Sequence, residues 1–73
     1  MNIKEARLLF HTGVLQEPVI RKEEGGWIVL LEGNHPLNPV LETARGQVRV
    51  FRTVDAAVEV LFELGFNSIR VIR

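Results

Sequence analysis

The segment from Trp27 to Glu32 limits the possible folds more than any other part of the sequence. Its five consecutive apolar residues, 27–31, occupy both odd and even positions. Because side chains alternate between the two faces of a strand, such a strand must be covered on both faces. The chain has 73 residues and no cysteine, so we expect one domain, 1–73, without a disulfide framework. So small a core favours a homodimer.

Turn signals predict further strands on both sides of this segment. Gly25 and Gly26 supply a hairpin turn before it, and the Gly-, Asn- and Pro-rich residues 33–39 predict a loop after it. Gly46 is placed to end a three-residue hairpin loop formed by residues 44–46. The additional strands predicted are 19–22, 40–43, 47–52 and 68–73.

A capping box and a terminal glycine predict the first helix. Asn2 and Glu5 stand three residues apart, as the two partners of a capping box do, and apolar residues then follow at helical spacing. Gly13 is a typical helix stop. The first helix is therefore predicted over residues 3–12.

The second helix is marked at both ends in the same way. Thr53 is the expected N-cap, and Gly65 the residue that follows the last helical turn. Phe66 then takes the position from which it can contact Leu61, as a Schellman motif prefers. The full order is α-β-β-β-β-α-β. It predicts an α+β fold with two helices and a mostly antiparallel sheet of four to five strands, in which the last three elements form a β-α-β unit.

The titratable residues do not form a recognisable catalytic or metal site. His11 and His35 are far apart in the sequence and no cysteine accompanies them, whereas a zinc site needs three or four ligands. The carboxylates of helix two lie on one ridge that we interpret as its solvated face: Asp55, Glu59 and Glu63. No nucleophile–histidine–acid pattern or phosphate loop is present. We therefore expect no enzymatic activity, no metal and no cofactor.

Charge and hydropathy restrict the partners of the protein. Nine basic and nine acidic residues cancel, which argues against a nucleic-acid coat protein but permits a basic patch. The longest apolar run is too short to cross a bilayer, and residues 1–5 lack the apolar core of a signal peptide. Together with the absence of cysteine, these features fit a cytoplasmic protein without a membrane partner.

Arginine and large apolar residues are predicted to share one face of the sheet. If Val48, Val50, Ile69 and Val71 pack under the helices, the opposite face presents Arg49, Phe51, Arg70 and Ile72. Either Trp27, Val29 and Leu31 or Ile28 and Leu30 join them, and Trp27 is taken as a further binding candidate. Three interpretations remain open. Helix one covers this face, or a second copy of the chain covers it, or the face binds nucleic acid through its aromatic and basic groups.

Residues 41–57, followed by Leu64, Gly65 and Phe66, contain the pattern T-A-R-G … R-x-F-x-T-x-D-A-A … L-G. Gly26 and Trp27 are a weaker upstream anchor. From this anchor to Phe66, the resemblance spans about half of the chain. It resembles small partition-associated or stability proteins of bacterial plasmids and integrating conjugative elements.

The resemblance implies a non-enzymatic supporting role in the maintenance of mobile DNA and assigns no residue to that role. We therefore expect an accessory or binding protein of bacterial mobile DNA that acts through protein or DNA contacts. The alternative is a structural dimer or partner-binding module without a nucleic-acid role.

Overall fold

The computed structural model describes residues 1–73 and has two helices and a three-stranded mixed sheet. The elements are α1 (Ile3–Thr12), β1 (Val19–Glu23), β2 (Gly26–Leu30), α2 (Val54–Leu64) and β3 (Arg70–Ile72). The α+β class and both helices are confirmed. Neither helix is long and apolar enough to cross a membrane.

The ends of α1 follow from hydrogen bonds that the sequence predicts. The Glu5 amide donates to Asn2 Oδ1, and the Asn2 amide donates to Glu5 Oε1, each at 2.9 Å. These two bonds complete the capping box. Gly13 ends the helix with φ 75°, a conformation that glycine adopts without steric cost. The prediction of a helix over 3–12 is confirmed.

The ends of α2 also agree with the sequence pattern. The Ala56 amide donates to Thr53 Oγ1 at 3.2 Å, which satisfies one of the free amides of the first turn. After Gly65, the Phe66 amide donates to the Leu61 carbonyl at 3.1 Å. This is the longer hydrogen bond of a Schellman motif, and Phe66 and Leu61 both lie in the core.

The sheet has the order β2-β1-β3 and contains both kinds of pairing. β1 and β2 form the predicted antiparallel hairpin, in which Val19 lies opposite Leu30. β3 pairs with β1 in parallel, with Val19 opposite Arg70. The prediction of a mostly antiparallel sheet of four to five strands is therefore wrong. The chain returns through α2 to the free edge of β1, because residues 39–51 already occupy the outer edge of β2.

The two strands predicted over 40–43 and 47–52 are only isolated bridges. The hairpin loop itself is as predicted: Gly46 has φ 84°, and the Thr43 amide donates to the Gln47 carbonyl at 2.7 Å. However, the Leu41 amide donates to the Val29 carbonyl, whereas the Leu41 carbonyl accepts from the Arg49 amide. The two hydrogen bonds of Leu41 therefore join it to different segments. Because pairing changes partner within one residue, no continuous ladder forms.

The core lies between the two helices and one face of the sheet. Ala6 of α1 and Leu61 of α2 belong to the same buried cluster as Ile20 of β1 and Val29 of β2. The ring centroids of Phe10 and Phe66 are 4.8 Å apart, which joins the C-terminal ends of the helices. Both helices therefore cover the same face of the sheet.

Candidate binding surface

The other face of the sheet carries no helix, and we call it the open sheet face. Strand residues that lie opposite each other share a face, so the register assigns its members. Phe51 is paired with Trp27 on the helix side, and successive side chains of an extended segment point to opposite faces. Val50, the neighbour of Phe51, therefore also lies on the open sheet face. The residues of the open sheet face are Val19, Arg21, Ile28, Leu30, Val40, Val50, Arg70 and Ile72. None of them belongs to the core cluster that the helices share.

The open sheet face is mainly aliphatic and partly exposed. Val50 is 51% exposed and Ile72 42%, whereas Ile28 at the centre is 6% exposed. Val19, Leu30 and Val40 are half-buried. Partly exposed apolar side chains that lie side by side, as Val19, Leu30 and Val40 do, are typical of a surface that contacts another molecule.

One cation on this face is free. Arg21 Nε is 3.0 Å from Glu23 Oε2, so this arginine already has a carboxylate partner. Arg70 makes no side-chain hydrogen bond and no ion pair within 4 Å. An incoming carboxylate would therefore find Arg70 available at the side of an apolar surface.

β3 also leaves one edge of the sheet unpaired. The Arg70 amide donates to the Pro18 carbonyl at 2.9 Å, towards β1. Successive backbone groups of a strand point in opposite directions, so the amide and carbonyl of Val71 point away from β1. No other strand pairs with β3. The open sheet face therefore ends in an edge where another strand can add.

The five predicted binding residues do not lie on one face. Arg70 and Ile72 are on the open sheet face. Phe51 is 8% exposed and belongs to the core. Trp27 is half-buried against the same core, with Lys22 Nζ 4.9 Å from its ring centroid. Arg49 is on the helix side, where its guanidinium carbon lies 5.3 Å from the centroid of the Phe51 ring.

The error concerns the strand parity of residues 48–51. Each parity contains a large apolar residue there, and the sequence pattern predicts that Val48 and Val50 face the helices. The structure instead buries the larger Phe51 and exposes both valines, by 50% and 51%. The signal that was missed is Gly26, where an added Cβ would lie 2.4 Å from the Phe51 carbonyl oxygen. Only glycine permits the backbone approach that brings Phe51 into the core.

In the last strand the predicted parity is partly confirmed. Ile69 packs against the core as expected. Val71 is 44% exposed although it lies opposite the fully buried Ile20, because β3 is an edge strand. The interpretation that α1 covers the open sheet face is wrong, since α1 packs beside α2 on the opposite face.

His35 has a structural role in the loop that follows β2. His35 Nδ1 accepts from the Leu37 amide at 3.1 Å, so its Nε2 carries the proton and donates to the Leu31 carbonyl at 2.8 Å. This ring holds the loop that follows β2. No three His, Cys, Asp or Glu side chains lie close enough to hold a metal ion.

The largest depression, about 470 Å³, lies between the C-terminal ends of the helices. Phe10 and Phe66 form part of its wall, and its one carboxylate, Glu17, accepts a hydrogen bond from Ser68. No histidine or second carboxylate is present to activate Ser68 as a nucleophile. This depression therefore adds no candidate chemistry to the open sheet face.

Comparisons with protein-family models, with curated proteins and with solved structures found no match to this chain.

Proposed function

We propose that this protein is a non-enzymatic accessory protein of bacterial mobile DNA that acts by binding another protein. The observation that carries the binding role is an aliphatic sheet face that ends in an unpaired edge strand. The setting in mobile DNA rests on the sequence resemblance over residues 41–66. The occupant is an extended segment of a partner protein, which adds to β3 as a further strand.

The chemistry of the surface defines this segment. The outward amide and carbonyl of Val71 would bond to its backbone, as in other cases of strand addition. The side chains on one face of the partner segment would lie beside Ile72, so apolar residues of the segment fit there. A carboxylate next to them would pair with Arg70, which has no partner within the chain.

A protein partner agrees better with this surface than a nucleic acid does. Single-stranded nucleic acids are held by aromatic side chains on which bases stack. Phe51, the aromatic residue expected to do this, is in the core, and the open sheet face contains no aromatic side chain. Most of its residues are aliphatic, and its second cation, Arg21, which lies between Ile28 and Ile72, is already paired.

Val71→Pro tests strand addition without removing any side chain from the core. Proline lacks the outward amide, while the amides of Arg70 and Ile72, which face β1, remain. The probes are the purified products of the genes next to its own, titrated one at a time by calorimetry. We expect one of them to bind wild-type protein and to bind Val71→Pro at least about tenfold more weakly, since a lost hydrogen bond leaves a buried acceptor unpaired.

Val71→Ala is the matched control and should bind like the wild type, because it keeps the amide. Ile72→Asp should also weaken binding, because it places a charge in the apolar contact. Equal binding by Val71→Pro and the wild type would contradict strand addition. If none of the neighbouring gene products binds, the proposed setting in mobile DNA is contradicted. Retention of plasmid DNA that falls steeply with salt would instead favour a nucleic-acid role.

A further inference from the structure

The outer surfaces of the two helices carry opposite charge. The exposed stripe of α1 contains basic residues at helical spacing: Lys4, Arg7 and His11. The charged residues of the exposed stripe of α2 are all acidic: Asp55, Glu59 and Glu63. α2 has no basic residue at all. A protein of zero net charge therefore presents a basic and an acidic surface side by side.

These charges have no partners within the chain. The two ion pairs of the protein join the Met1 ammonium to Glu42 and Arg21 to Glu23, and neither involves a helix. Even Arg7 and Glu63, which line one depression of about 250 Å³ between the helices, are not within 4 Å of each other. Both charged surfaces are therefore free to pair with another molecule.

Each charged surface also contains a large apolar side chain. Leu8 on α1 is 66% exposed and Phe62 on α2 is 59% exposed, the two highest values among the exposed large hydrophobic residues. Leu8 follows Lys4 by four positions and precedes His11 by three, and Phe62 follows Glu59 by three, so each apolar side chain neighbours charged residues on its helix surface. An apolar residue surrounded by charged ones is the usual arrangement at the centre of an interface.

We propose that these two helix surfaces form the interface of a homodimer, in which α1 of each protomer lies along α2 of its partner. A two-fold axis repeats every contact, so one basic and one acidic surface per chain give two complementary contacts. The spacing agrees: the basic residues span about 10 Å of helix and the acidic residues about 12 Å at 1.5 Å per residue. In this arrangement Leu8 meets the partner's Phe62.

A second copy fits these surfaces better than DNA does. Phosphates would bind the basic stripe of α1, but Glu59 and Glu63 of the adjacent α2 would repel them. In the dimer the same carboxylates are attractive, because they face the partner's basic residues. DNA binding at α1 is therefore an outcome that the experiment must separate from dimerisation.

The dimer goes beyond the proposed function and uses the opposite side of the molecule. The helices cover one face of the sheet, so their pairing leaves the open sheet face of each protomer outward. One dimer then presents two sites for partner segments, which raises the effective affinity for a partner that has more than one such segment. Loss of the dimer leaves each single site unchanged, so the two proposals fail separately.

Charge exchange between two variants tests the interface. Lys4→Glu/Arg7→Glu makes both helix surfaces acidic, and Glu59→Lys/Glu63→Lys makes both basic. Sedimentation equilibrium at several protein concentrations should show a dimer for the wild type, weakened by salt. Each variant alone should dimerise at least about tenfold more weakly, because like charges face each other. An equimolar mixture of the two should recover the dimer, because both contacts are complementary again.

Arg45→Glu/Arg52→Glu is the matched control for Lys4→Glu/Arg7→Glu, since it makes the same change in net charge outside the helices and should leave the dimer unchanged. Circular dichroism checks that every variant is folded. A wild type that is monomeric at all concentrations, or a mixture that stays monomeric while both variants are folded, would overturn the proposal. A monomeric wild type whose retention of DNA is lost in Lys4→Glu/Arg7→Glu would assign the basic stripe to nucleic acid instead.

Discussion

Replacement of Phe51 by alanine, compared with replacement of Val50, tests which side of the sheet faces the helices. Phe51 is 8% exposed and Val50 51%. Loss of a buried phenylalanine removes its transfer free energy and leaves a cavity, so Phe51→Ala should lower the free energy of unfolding by about 3–5 kcal/mol. At about 0.05–0.15 kcal/mol per residue, this is a large part of the total stability. Val50→Ala, at an exposed position, should cost within about 0.5 kcal/mol.

Urea unfolding followed by far-ultraviolet circular dichroism measures both changes. Dichroism is preferable to the fluorescence of Trp27, because this tryptophan is paired with Phe51 and its signal would change for a local reason. Phe51→Leu keeps the comparison possible if Phe51→Ala does not fold, and should cost more than Val50→Ala. A larger loss for Val50→Ala than for either Phe51 variant would refute the assignment of the open sheet face.

Two further substitutions test the local structure around this surface. Gly26→Ala should destabilise the fold by at least about 3 kcal/mol, because the added Cβ must displace the Phe51 carbonyl and backbone strain of about 1–3 kcal/mol adds to this cost. Gly46→Ala has open space around the added Cβ, so only the positive φ opposes it and the cost should be about 1–2 kcal/mol. Equal costs in urea unfolding would contradict the close approach at Gly26. His35→Ala removes two hydrogen bonds from the loop after β2 and should cost about 1–3 kcal/mol; an unchanged urea midpoint would show that the ring does not hold this loop.

Local signals were sufficient to predict the helices. The capping box at Asn2 and Glu5, and the Schellman motif at Gly65 and Phe66, depend on residues a few positions apart. Such hydrogen bonds are decided within one turn, so the sequence pattern contains all the information that they need. The hairpin between β1 and β2 was predictable for the same reason.

The sheet order and the candidate surface depend on distant contacts that no local pattern contains. The pairing of β3 with β1 joins residues about fifty positions apart, and a parallel neighbour of β1 has no sequence signal. The face on which Phe51 lies depends on its approach to Gly26. Arg70 and Ile72 were therefore placed correctly with each other, but Arg49, Phe51 and Trp27 were wrongly added to their face.

Hydrogen exchange at the Val71 amide tests the central claim most directly. In the free protein this amide has no partner, so it should exchange faster than the amides of Arg70 and Ile72, which face β1. When the neighbouring gene product that binds this protein is added, the Val71 amide should become protected from exchange. The amides of α1 and α2 should keep their exchange rates. A Val71 amide that stays unprotected in a saturated complex would contradict binding by strand addition at β3.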